Sequence, residues 1–317
     1  MPVNLDKPHL WKEDVARSVD QYNQWFLSFA PSTYRATRIK VTKDVEAMLH
    51  RTNNLRSITL DELKSHPQIL PSLRMSTAPP IARDRLVGLA GIGKSLVYTM
   101  EGEGTIPPRM PKEKLDTELA KIASLIMRLA DVDIFLWLTS GKGPTTHERD
   151  RAVAIIADRL SCAIADEAVN AARKLKQMSD LARYLDSRGY REVVNRCAKH
   201  CGMNEPATYT CFGSVPLAMG MNAILPIDAV VQPIKSRAGN LPILLQAVSP
   251  SSLGVSKRQM SFHRNTLRDL RMTYGDGIPY ALMMSGHVGT DHLGMQAAES
   301  LDWVWQHRLT DLGRLGV

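Results

Sequence analysis

Two apolar stretches decide the fold that this sequence predicts: Ala223-Ile-Leu-Pro-Ile-Asp-Ala-Val-Val231 and Leu241-Pro-Ile-Leu-Leu-Gln-Ala-Val248. Both are short, rich in aliphatic residues and bounded by glycine, proline or asparagine, as β-strands are. Residues 207–212 and 278–284 have the same character, and the polar segment 256–274 between the last two stretches has helical spacing. The sequence therefore predicts an α/β core in this part of the chain.

The chain before this core has a helical pattern. Apolar residues from Val15 to Phe29 recur at steps of three and four, and this pattern predicts a helix that ends where Pro31 interrupts it. Residues 112–138 and 146–185 predict two further packed helices, with a turn at 141–144 between them. We therefore predict a mainly helical region over residues 1–195 and the α/β core over residues 196–317.

The composition is that of a globular protein: 317 residues, of which 44% are hydrophobic and 23% charged. It excludes a disordered, collagen-like or disulfide-stapled chain. The 40 lysine and arginine residues exceed the 32 acidic residues, and this basic surplus points weakly to a polyanion such as nucleic acid. The apolar stretches are too short to span a membrane, and the four cysteines are too scattered to act as staples. We expect reduced thiols and a cytoplasmic protein.

A phosphate-loop pattern occurs at Gly88-Leu-Ala-Gly-Ile-Gly-Lys-Ser95. Such a loop requires a buried apolar strand directly before it, so that its backbone amides converge on the phosphates. The preceding residues, 79–87, carry three charges instead. We interpret the segment as a glycine-containing helix or helix junction and do not expect nucleotide binding.

Three cysteines and a histidine could form a zinc site: Cys197, His200, Cys201 and Cys211. Their spacing differs from the paired Cys-x-x-Cys motifs that identify such sites. Burial of the cysteines as small apolar residues is the preferred interpretation, and zinc is the alternative.

One acidic residue, Asp228, lies inside an apolar strand, where an ionised carboxylate is costly unless a cation or a metal pairs with it. On the next strand Gln246 and Val248 are two residues apart and therefore face the same side. In a metal-dependent nuclease these three positions would be Asp, Glu and Lys. The carboxylates would hold magnesium against the scissile phosphate, and the lysine would assist the attacking water.

A cluster of basic residues follows these strands and contains a single acid, Asp269, between residues 256 and 272. Most of these basic side chains fall on one face of the predicted helix, where they could follow DNA phosphates. The alternative is a solvated helix face. The predicted DNA-binding residues are Lys257, Arg258, Arg264, Arg268 and Arg271.

Over nearly its whole length the chain resembles the XamI family of type II restriction endonucleases. The segments that carry the resemblance are 4–11, 30–35, 79–90, 225–228, 241–244, 273–276 and 299–308. The resemblance implies a restriction-endonuclease-like core, namely a mixed sheet flanked by helices, preceded by a mainly helical region. It also implies an Asp…Glu-x-Lys active site, a magnesium cofactor and a short duplex DNA sequence as the substrate.

The chain departs from the family at the active site. Asp228 matches the first acid and would be a metal ligand, but Gln246-Ala-Val248 stands where the family has Glu-Ala-Lys. Losing the carboxylate weakens the metal site, and losing the ammonium removes transition-state stabilisation. Glu205 and Lys235 are possible substitutes, although no spacing rule supports either.

Two functions remain open on the sequence. The leading hypothesis is a XamI-like homologue that binds duplex DNA sequence-specifically, without needing magnesium to do so, and whose nuclease activity is lost or impaired. The alternative is an active magnesium-dependent type II endonuclease with a rearranged active site. Restriction enzymes that read palindromes are usually two-fold symmetric, so a homodimer is expected in either case.

Overall fold

The computed structural model describes residues 2–193, 205–217, 224–237, 239–250 and 257–317, the side chains of residues 257–259 excepted. The chain divides into two compact units: Met1–Phe29 with Asn170–Val317, and Ala30–Val169. The predicted boundary between residues 195 and 196 lies outside the described residues.

The unit Ala30–Val169 is helical. Its buried core contains Val45, Leu49, Ile122, Trp137 and Ile156. Two helices, α1 and α8, also contribute residues to the other unit. The α-helices are α1 (Pro8–Arg51), α2 (Leu60–Ser65), α3 (Leu70–Met75), α4 (Arg83–Ala90), α5 (Lys94–Gly102), α6 (Lys112–Leu129), α7 (Trp137–Ser140) and α8 (Thr146–Ser187), and a 3-10 helix covers Pro67–Ile69.

Two predicted helix ends were wrong. Helix α1 continues through Pro31, because a proline removes one intrahelical hydrogen bond without preventing helix on both sides when each side is anchored by packing, here at Tyr22 and Val41. The helix predicted over 112–138 ends at Leu129, where the chain leaves the helix to form a bridge between Ala130 and Thr77. The helix predicted over 146–185 is confirmed as α8.

The other unit contains a mixed sheet of six strands in the order β1 to β6. Strands β2, β3 and β4 form an antiparallel run, whereas β4, β5 and β6 are parallel, and β1 is parallel to β2. The strands are β1 (Arg191–Glu192), β2 (Thr208–Pro216), β3 (Ile224–Gln232), β4 (Ile243–Val248), β5 (Tyr280–Met284) and β6 (Asp302–Trp305), with helices α9 (Lys257–Tyr274) and α10 (Thr290–Ala298) and a 3-10 segment over Gln306–Leu315.

Side chains alternate between the two faces of the sheet along each strand. Both faces are buried, each in its own apolar cluster. Trp303 and Trp305 of β6 pack in one cluster with Leu267 and Leu270 of α9. Val304 lies in the other cluster, which includes the C-terminal part of α8. The predicted fold class, a mixed sheet flanked by helices after a mainly helical region, is confirmed. Strand β6 and helix α10 were not predicted.

Two other features bear on function. The segment Gly88–Ser95 joins α4 to α5, and Gly91 between them has a left-handed backbone (φ 60°). A helix, and not the buried strand that a phosphate loop requires, therefore precedes the segment, and the predicted helix junction is confirmed. Among the helices of the described residues, none is long and apolar enough to cross a membrane.

Candidate active site

Asp228 lies on β3 where the antiparallel run loses its regular pairing. The β3–β4 ladder pairs Ala229 with Leu245 and does not extend to residue 228. On the other side Phe212 of β2 stands opposite Asp228, and its left-handed backbone (φ 56°) interrupts that ladder. Asp228 is 5% exposed. Asp228 is therefore a nearly buried carboxylate at a position where both neighbouring ladders lack regular pairing.

The carboxylate of Asp228 is oriented by β4. Its Oδ2 accepts a hydrogen bond from the Ala247 amide at 2.9 Å and another from the Gln246 side-chain amide at 2.6 Å. These two donors satisfy the oxygen that faces β4, and they fix the plane of the carboxylate. Asp228 and Gln246, two of the three motif positions, are therefore in direct contact.

A lysine that sequence analysis missed approaches the other oxygen. Lys174 of α8 places its Nζ 2.5 Å from Asp228 Oδ1, and its side chain is 44% exposed. The lysine lies on the same helix stripe as Met178, Leu181 and Leu185, which are buried in the sheet cluster. The stripe is visible in the sequence, but no local pattern tells which strand residue it meets.

The other sequence candidates lie elsewhere. Val248 is buried in the apolar cluster beneath α9 and makes no polar contribution. Glu205 forms an ion pair with Arg191 at 2.7 Å, and Lys235 is exposed beyond the end of β3. Among the ion pairs of the described residues, the partner of Asp228 is Lys174 and not Lys235.

A histidine and a tyrosine lie close enough to Asp228 for its charge to raise their pKa values. His263 of α9 and Tyr280 of β5 are both buried, with their ring nitrogen and hydroxyl oxygen 3.4 Å apart. Burial lowers the pKa of His263 to about 4, against the smaller opposing effect of Asp228. Burial, reinforced by Asp228, raises the pKa of Tyr280. Both groups are therefore neutral at neutral pH.

The buried His263 predicts a stability that depends on pH. Its folded pKa of about 4 lies below the ordinary 6.5, so the unfolded chain takes up the proton first. We expect its contribution, on the order of 3 kcal/mol, to be complete above the ordinary value and to be lost as the pH falls toward about 4. Urea unfolding across this range should show a shallower pH dependence for His263→Gln, and equal slopes would contradict the assignment.

Three of the predicted basic residues of α9 lie in its described part, on the side of the helix that faces solvent. Arg264 and Arg268 are exposed and Arg271 is partly exposed, opposite the buried face of the helix. Two of them have acidic partners: Arg264 pairs with Glu299 at 3.1 Å and Arg268 with Asp269 at 3.5 Å. The side chains of Lys257 and Arg258 lie outside the described part of the chain. DNA contact by this face stays a prediction.

An open cleft of about 840 Å³ lies beside the neighbours of Lys174 on α8. It is lined on one side by Tyr22 and Trp25 of α1, and on the other by Arg173, Lys176 and residues further along α8. The guanidinium of Arg173 stacks 5.7 Å from the centre of the Tyr22 ring, and its burial lowers its pKa. The cleft thus combines aromatic, basic and acidic groups, the last represented by Asp180.

The zinc site that the sequence offered as an alternative lies mostly outside the described residues. Cys197, His200 and Cys201 lie outside the described residues, whereas Cys211 lies on β2 as a free thiol. Within the described ranges there is no group of three or more histidine, cysteine, aspartate or glutamate side chains placed to bind a metal.

The fold defines a class. A mixed six-stranded sheet flanked by helices, after a mainly helical region, is a restriction-endonuclease-like α/β fold. A model of the XamI restriction endonuclease family matches residues 53–305. The chain belongs to this family, as the sequence predicted.

A curated relative covers almost the whole chain. It is the type II restriction enzyme SalI of Streptomyces albus G, which is 41% identical over 314 residues, or 99% of this chain and 99% of the relative. No solved structure matches the chain. The likeness therefore extends over both compact units.

Proposed function

We propose that this protein is an active type II restriction endonuclease that cuts duplex DNA at a specific sequence with a rearranged active site. The observation that carries the proposal is the environment of Asp228. Its buried carboxylate is held by two hydrogen bonds from β4 and by the ammonium of Lys174. The site thus contains an oriented acid and a lysine, although the sequence motif that normally supplies the lysine has Val248. The whole-length likeness to SalI, a type II restriction enzyme by name, supports the same conclusion.

The reaction is hydrolysis of a phosphodiester. A water oxygen forms a bond to phosphorus, and the P–O bond to one sugar breaks. One proton of the water ends on the departing sugar oxygen, and the other leaves with the new phosphate group. Negative charge builds up on the phosphoryl oxygens in the transition state, so positive groups near the phosphorus accelerate the reaction.

Magnesium fits the donor types at this site. Its protein sites commonly use one or two carboxylates, and substrate phosphates and waters complete the coordination. Asp228 would supply the carboxylate and Gln246 an amide oxygen; in the structure these two side chains bond to each other, and Lys174 pairs with the remaining carboxylate oxygen. When bound, magnesium would polarise the phosphate and make the attacking water more acidic. Gln246 is neutral, so we expect a weaker metal site than two carboxylates would form.

The other hypothesis, a DNA-binding protein with lost or impaired cleavage, remains a prediction. It rests on the replacement of Glu and Lys by Gln246 and Val248. Both hypotheses share the DNA substrate and the expected homodimer, so neither binding nor oligomeric state separates them. Cleavage does.

A digest of unmethylated plasmid and bacteriophage DNA in magnesium tests the proposal. We expect discrete fragments whose ends map to one short sequence, because a type II enzyme cuts at a defined site. Omission of the divalent cation should abolish the fragments. Gel-shift binding to the same DNA, without fragments in either magnesium or manganese, would instead support the impaired homologue. Sedimentation of the protein, alone and with a duplex that contains the cleavage sequence, measures its mass and so tests the expected dimer.

A further inference from the structure

We propose that Lys174 is a catalytic residue, the ammonium that acts on the scissile phosphate in place of the lysine missing at position 248. This inference rests on the proposed nuclease function and specifies which part of the chain completes the active site. The lysine comes from a long helix and not from the strand that carries the rest of the motif.

The geometry places Lys174 at the reacting centre. Its Nζ lies 2.5 Å from Asp228 Oδ1, at the oxygen that β4 leaves open. A lysine ammonium has three N–H donors, and Asp228 takes one of them in the contacts of the described residues. The side chain is 44% exposed, whereas that of Asp228 is 7% exposed. The ammonium can therefore touch a phosphate that approaches from solvent while its carboxylate partner stays buried.

Position 248 explains why the cation comes from another element. Val248 is 5% exposed and packs with Leu244, Met284 and the α9 side chains. An ammonium in this apolar cluster would lose its hydration without a partner, which is costly. From α8, by contrast, the charged end of Lys174 reaches the same carboxylate from the solvent side. The ion pair with Asp228 holds the ammonium beside the candidate site.

The chain supplies a matched control on the same helix. Lys176 is two residues further along α8 and is 46% exposed, close to the value for Lys174. Its ammonium pairs with Asp180 at 3.1 Å, one helical turn away, and not with Asp228. The two lysines thus share residue type, helix and exposure, and they differ in the acid that they contact.

The experiment compares Lys174→Met, Lys174→Arg and Lys176→Met in the full-length protein. Cleavage of plasmid and bacteriophage DNA is timed in magnesium, duplex affinity is measured in calcium, and thermal unfolding is followed without metal. We expect Lys174→Met to cut at least about 100-fold more slowly, since the loss of one transition-state donor has an effect of this size. Its duplex affinity and melting temperature should stay close to those of the wild type.

The two other variants complete the comparison. Lys174→Arg keeps the positive charge but places it on a wider group, so we expect it to cut at least about 10-fold faster than Lys174→Met. Lys176→Met should cut within about 3-fold of the wild type, because an exposed helix ion pair contributes little.

The proposal is overturned if Lys174→Met cuts within about 3-fold of the wild-type rate, or if it cuts faster than the wild type. It is also overturned if this variant binds duplex DNA as poorly as it cuts it, or if it no longer folds. Faster cleavage would show that the ammonium blocks the place of a divalent cation. A wild-type protein that cuts no DNA would overturn the proposed function and this inference together, whereas a cutting wild type with an equally active Lys174→Met would overturn only the inference.

Discussion

Replacement of Asp228 by asparagine is expected to reduce DNA cleavage by about 1000-fold or more, because the substitution removes the one carboxylate that the site would offer to magnesium. Asparagine has nearly the same shape and can still accept the hydrogen bond from Ala247. Lys174 loses its partner but is half exposed, so its charge stays hydrated. The loss should therefore appear in the cleavage rate, measured by single-turnover digestion of plasmid DNA, and not in folding.

The control for this substitution is Glu205→Gln. Glu205 is an acid of the same compact unit, but it is exposed and paired with Arg191. This variant should cut at the wild-type rate. Duplex binding by Asp228→Asn in calcium should also be retained, since the basic surfaces are unchanged. If Asp228→Asn still cuts within about 10-fold of the wild type, the reacting centre lies elsewhere in the chain.

A second large effect is expected in the helical unit, where Arg74 and Glu101 form a buried ion pair. Two contacts join the guanidinium to the carboxylate, at 2.5 and 2.8 Å, and the side chains are 7% and 3% exposed. Arg74 also donates to the Ile81 carbonyl at 2.5 Å. Replacing Arg74 by methionine leaves Glu101 buried with only the more exposed Arg83 as a cation, at 2.9 Å. We expect the free energy of unfolding to fall by about 3 to 5 kcal/mol.

Urea unfolding measures this loss, and two variants interpret it. Arg74→Met with Glu101→Leu should recover most of the stability, because the pair is then removed together and no charge is left uncompensated. Lys94→Met removes one side of an exposed pair with Asp84, 64% and 72% exposed at 3.4 Å, and should leave the stability close to that of the wild type. If Arg74→Met unfolds at the same urea concentration as Lys94→Met, the Arg74–Glu101 pair is effectively solvated.

Local patterns in the sequence determined much of the fold. Alternation and bounding residues indicated β2 to β5, and apolar spacing indicated the helix α8 and the helix α9. These patterns depend only on near neighbours along the chain, and for the same reason they failed at Pro31, where packing on both sides maintains the helix. They also failed at β6, since four residues, Asp302–Trp305, are too few to show a period.

The sequence by itself also determined the family and indicated two residues of the candidate active site. Asp228 stood out as a charge inside an apolar strand, and Gln246 as its neighbour across the sheet. Only the tertiary structure decided that Lys174 meets them. An amphipathic helix shows which of its faces is buried, but a contact between residues so far apart in the chain depends on how the helix packs on the sheet. We propose that the nuclease motif looks incomplete in the sequence because its ammonium comes from another element of the fold.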